Sequence, residues 1–112
     1  MTNHPIEFLR VEATRLQQLF NEGQFWERTK SGELQAKVLE DRHPTLTLAN
    51  EPFCTRSQMV SYLDGAKEVA RVHQYLRMDG TIGASGKPDP KRLFVDGMLY
   101  RLVKTPKASS AE

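Results

Sequence analysis

Two Asp-Gly pairs, Asp64-Gly65 and Asp96-Gly97, each separate runs rich in β-branched and aromatic residues. That pattern is a strong hairpin signal, because both turn positions need a positive φ that Gly and Asp tolerate. It predicts strands over 58–63 and 68–78, then over 91–95 and 98–103. Two-residue turns would set Val60 opposite Val69 in the first hairpin. In the second they set Val95 opposite Met98, Leu93 opposite Tyr100 and Arg92 opposite Arg101.

The first half reads differently. Ile6, Leu9, Ala13, Leu16 and Phe20 recur at spacings of three and four, which lines them on one helical face. Pro5 suits a first turn, Asn3 or His4 a cap, and Asn21-Glu22-Gly23 a stop, so a helix is expected over 5–20. Residues 24–42 admit a hairpin about Ser31-Gly32 or a helix capped by Ser31, and the turn-like pair favours the hairpin. Pro44 and Pro52 make 41–53 an extended connection, with a short strand at 45–48. The expected fold is α+β: an N-terminal amphipathic helix packed on a mostly antiparallel sheet of hairpins. It spans residues 1–103, with a polar tail at 104–112.

Length and composition bound what such a fold can do. A chain of 112 residues holds one core and no deep cavern. No apolar run reaches the roughly 18 residues of a membrane helix, and residues 1–5 lack a secretory pattern. Cys54 is the only cysteine, so no intrachain disulfide forms, and a cytoplasmic location is the expectation. Its default reading is a small buried apolar residue, and Phe25 and Trp26 read as core anchors. Charge is uneven. Residues 1–55 carry six Lys/Arg against eight Asp/Glu, whereas residues 56–112 carry ten against six. The basic half favours an anionic partner, RNA among them.

Alternation along 68–78 places Ala70, Val72, Leu76 and Met78 on a core side. Val69, Arg71, His73, Tyr75 and Arg77 then share the other side. His73 can carry a proton near neutral pH, Arg71 and Arg77 can hold a phosphate, and Tyr75 can stack or donate a hydrogen bond. Equally, Arg, His and Tyr populate the polar face of many antiparallel sheets without a task. Arg92 opposite Arg101 is unfavourable unless an anion or a carboxylate such as Glu12 or Glu22 lies between them. The loop over 83–90 offers Lys87, followed by Lys91 and Arg92, as further phosphate contacts. Gly83-Ala84-Ser85-Gly86-Lys87 is not a nucleotide loop: two residues separate the glycines where four are required, and Pro88 follows the lysine. His4, His43, His73 and Cys54 lack metal-ligand spacing, and no cofactor motif is present, so neither a metal nor a cofactor is expected.

A helix followed by an antiparallel sheet, with His, Tyr, Arg and Lys on one sheet face, resembles the small metal-independent bacterial ribonuclease toxins. The likeness is one of architecture over roughly 5–103, without a shared motif. It implies His73 as acid/base, with Arg71, Arg77, Tyr75, Lys87, Lys91, Arg92 and Arg101 around a phosphate. The alternative class is a non-enzymatic interaction module, an inhibitor or homodimer subunit, docking a protein through the sheet face or edge.

Overall fold

A computed structural model describes residues 8–43, 51–83 and 85–103. The chain runs β1 (Phe8–Val11), α1 (Ala13–Glu22), α2 (Phe25–Lys30), β2 (Gln35–Arg42), β3 (Arg56–Asp64), β4 (Lys67–Leu76), β5 (Asp89–Val95) and β6 (Met98–Leu102). The strands form one six-stranded sheet in the order β1-β6-β5-β4-β3-β2. Strands β2 to β6 form an antiparallel meander, and β1 adds to the β6 edge in parallel. The α+β class with a mostly antiparallel sheet is therefore as expected.

The N-terminal helix is not. Residues 8–11, placed by the periodicity inside a helix, form β1, and the helix begins only at Ala13. Pairing of Phe8-Leu9-Arg10-Val11 with β6 outweighs the helical spacing of Leu9 with Ala13. Leu16 and Phe20 do bury in the core beside Val72, while Leu9 stays 49% exposed on an edge strand. Residues 5–7 lie outside the described residues, as do the proposed strand at 45–48 and the tail.

Over 24–42 neither reading holds alone. The Ser31-Gly32 pair ends α2, with Gly32 at φ +93°, and the chain then enters β2. A short helix forms because Phe25 closes the core against Phe20, their rings stacked 5.9 Å apart. Trp26 packs against the same cluster. Cys54, expected to be buried, is exposed and sits at φ +73°.

The second hairpin has the expected register, with Val95 opposite Met98 and Arg92 opposite Arg101. The first does not. Asp64 pairs with Lys67, so Gly65-Ala66 is the turn, and Val60 faces Val72 rather than Val69. A bulge leaves Val69 without a partner on β3, and its side chain packs against the core instead of joining the polar face. Strand β4 ends at Leu76, short of the predicted Met78, which is 81% exposed.

The core lies on one side of the sheet. Leu16, Phe20, Phe25 and Leu34 pack there against Val60, Tyr62, Ala70, Val72 and Leu93, and α1 lies over β5 and β6. Among the described residues no helix covers the opposite face, and the chemistry is concentrated there.

Candidate functional site

The register brings four arginines into a single row. Arg10 on β1 pairs with Arg101 on β6, Arg101 with Arg92 on β5, and Arg92 with Arg71 on β4. The row continues through Ser61 on β3 to Lys37 on β2. Strands lie about 4.8 Å apart, so the four guanidinium stems span about 14 Å. A second bulge, on β5, leaves Lys91 unpaired beside them. Arg10, Arg71, Lys91, Arg92 and Arg101, with Leu102 and Val103, line a cleft of about 410 Å³.

Like charges at directly opposed positions repel, so something must hold the row together. Glu68 does part of this. Its carboxylate takes Arg71 Nε at 3.0 Å and Arg92 Nη1 at 3.5 Å, and accepts a hydrogen bond from the Ser61 hydroxyl. Neither Glu12 nor Glu22, the carboxylates expected for that task, pairs with the row. Glu68 reaches this face because of the bulge at Val69. Its partner Leu63 and Arg71's partner Ser61 are two apart on β3, so the two side chains share a face although they are three positions apart in sequence. Among the described residues Arg10, Arg101 and Lys91 have no ion-pair partner. The Arg10 and Arg101 guanidiniums each lie 5.7 Å from the Phe8 ring centroid.

His73 follows Arg71 on the same face of β4 and lies outside the cleft lining. Its Nε2 is 2.8 Å from Ser57 Oγ, and its ring meets Tyr75 edge-on with centroids 4.8 Å apart. The imidazole is held below the usual histidine range, first by burial and then by Lys91, against Asp89, which pulls the other way. That favours the neutral imidazole, with one nitrogen donating and one accepting.

Of the residues proposed from sequence, Arg71, Lys91, Arg92 and Arg101 converge on the cleft, while His73 and Tyr75 lie outside its lining, farther along β4. Two lie elsewhere. Arg77 sits just beyond β4, its Nε 2.9 Å from Oε1 of the buried Glu51. Lys87 lies 6.0 Å from the Trp26 ring, toward the helix-covered side. Sequence reasoning missed Arg10, Phe8 and Glu68. The two-residue spacing of Phe8 and Arg10 puts the first two on one face of a strand, but nothing local to Glu68 announces a bulge.

Among the described residues no group of three or more His, Cys, Asp or Glu side chains could hold a metal ion, and no helix is long and apolar enough to cross a membrane. No protein-family model, no curated protein and no solved structure matches this chain.

Proposed function

We propose that this protein interacts with nucleic acid, laying the phosphate backbone of RNA along the arginine row of its open sheet face. The observation that carries this is the register Arg10–Arg101–Arg92–Arg71, served by a single paired carboxylate. A small anion would need two or three of these cations. A row about 14 Å long suits a polymer that repeats its charge. Arginine adds planar, two-point hydrogen bonding to phosphate.

Fluorescence anisotropy of a labelled RNA oligonucleotide across a salt series tests it. Binding should be measurable at about 50 mM salt and weaken steeply, with a log–log slope of about −3 if four phosphates are neutralised. Arg92→Ala and Arg101→Ala should each lower the slope by about 0.7 and weaken all sequences alike. Absence of binding at about 50 mM salt overturns the proposal. So does a salt-insensitive protein dimer that buries the same face, which would make the chain an interaction module.

Metal-independent cleavage is a second reading, favoured by one observation: His73, hydrogen-bonded to Ser57 and held below the usual histidine range by burial and by Lys91, shares a face of β4 with Arg71. In that reading His73 removes the 2′-hydroxyl proton as that oxygen bonds the adjacent phosphorus, the P–O5′ bond breaks, and the leaving 5′-oxygen takes a proton from water, while Lys91 and Arg71 stabilise charge growing on the phosphate. Cleavage by wild type, lost in a folded His73→Ala variant and on 2′-deoxy substrate, supports it. RNA recovered intact leaves binding alone.

A further inference from the structure

The row has a companion. Phe8 on β1 pairs with Leu99 on β6, and Leu99 with Phe94 on β5, each two residues from an arginine on its own strand. Side chains two apart on a strand share a face, so an apolar row runs parallel to the arginines, about 7 Å away. Phe8 is 49% exposed. Phe94 and Leu99 line a groove of about 440 Å³ together with Lys67, Glu68, Val69, Ala70 and Arg92. Cations stand over both rings: Arg10 and Arg101 at Phe8, and Lys67 Nζ at 3.8 Å from the Phe94 centroid.

We infer that the ligand is single-stranded, with its phosphates on the arginine row and its unpaired bases stacked on Phe8 and Phe94. The inference rests on the nucleic-acid reading above and specifies it. A cationic row beside an aromatic one, separated by roughly the reach from a phosphate to its own base, offers each part of a nucleotide its complement. Aromatic rings and guanidinium planes both stack on bases whatever their identity, so this surface selects unpaired strands rather than a sequence. A duplex keeps its bases stacked inside and presents only phosphates, so it would meet the arginines and leave both rings idle. Charge decides against an uncharged apolar partner: five cations line the adjoining cleft.

The test compares an oligouridine of about 12 nucleotides, within the usual site size, with a duplex of equal length at one salt concentration. The single strand should bind at least tenfold more tightly. Phe8→Ala should weaken single-strand binding about fivefold to a hundredfold and duplex binding much less, because a duplex offers the ring no unpaired base. Phe8→Trp should restore it. Phe8 is half exposed, so its variants should keep the wild-type melting temperature, and that is checked alongside. Phe94→Ala is the second probe, read only if it too melts normally. Equal affinity for both forms, unmoved by Phe8→Ala, overturns stacking while the arginine-row reading stands. No binding of either form at about 50 mM salt overturns both. Tighter binding to phosphatidylserine vesicles or to an acidic peptide than to the oligonucleotide overturns the inference and assigns the apolar row to that partner.

Discussion

A half-buried imidazole among cations makes stability depend on pH in one direction. Because the folded state holds His73 below its ordinary value of about 6.5, it binds a proton less readily than the unfolded chain does. Its stabilising contribution is present above that value and is lost as the pH falls through the lowered folded value. Urea midpoints measured from about pH 7.5 to pH 5 should drop further in wild type than in His73→Gln. A phosphate on the face acts in the opposite sense, favouring the imidazolium, so RNA binding should tighten on acidification in wild type more than in the variant. At this scale the sequence was partly readable. Arg71, His73, Arg92 and Arg101 announce themselves by type and by position relative to an Asp-Gly turn. Glu68 does not, because strict alternation assigns it to the side of Ala70 and only the bulge moves it.

Between elements, what differs is how strongly each turn dictates its own register. At Asp96-Gly97 both residues have positive φ, +51° and +81°, and the hairpin closes as two-residue turn chemistry requires. Gly97→Ala should cost about 1 kcal/mol or more by urea unfolding, with open space around the new Cβ, so that the loss reports backbone conformation rather than a clash. The same dipeptide at 64–65 is used otherwise. Asp64 stays in β3, the turn moves on by one residue, and the bulge at Val69 adds a further residue of offset on β4. That shift keeps Val60, Tyr62, Ala70 and Val72 together on the core side, so burial settled a register that the turn alone left open. Helix α1 was half legible for a related reason: Leu16, Leu19 and Phe20 bury as its spacing implies, but Phe8 to Val11 follow a strand partner some ninety residues away.

At the scale of the molecule, that distant pairing is the least readable feature and the one on which the open face depends. Strand β1 has four residues and docks in parallel on β6, with every other element lying between them in the chain. Phe8 and Leu9 remain 49% exposed, so little burial holds β1 in place. Yet β1 supplies Arg10 to the cationic row and Phe8 to the apolar one. Detachment of four residues thus leaves both rows incomplete. On the proposed function, the measured affinity equals the intrinsic affinity multiplied by the fraction of molecules with β1 docked, and the ligand itself raises that fraction. Amide hydrogen exchange should register the coupling directly: residues 8–11 exchange faster than β4 in the free protein and slow when oligonucleotide is added, whereas β4 is already protected without it. The edge strand is in effect a latch on the surface, closed from the outside by whatever the surface binds.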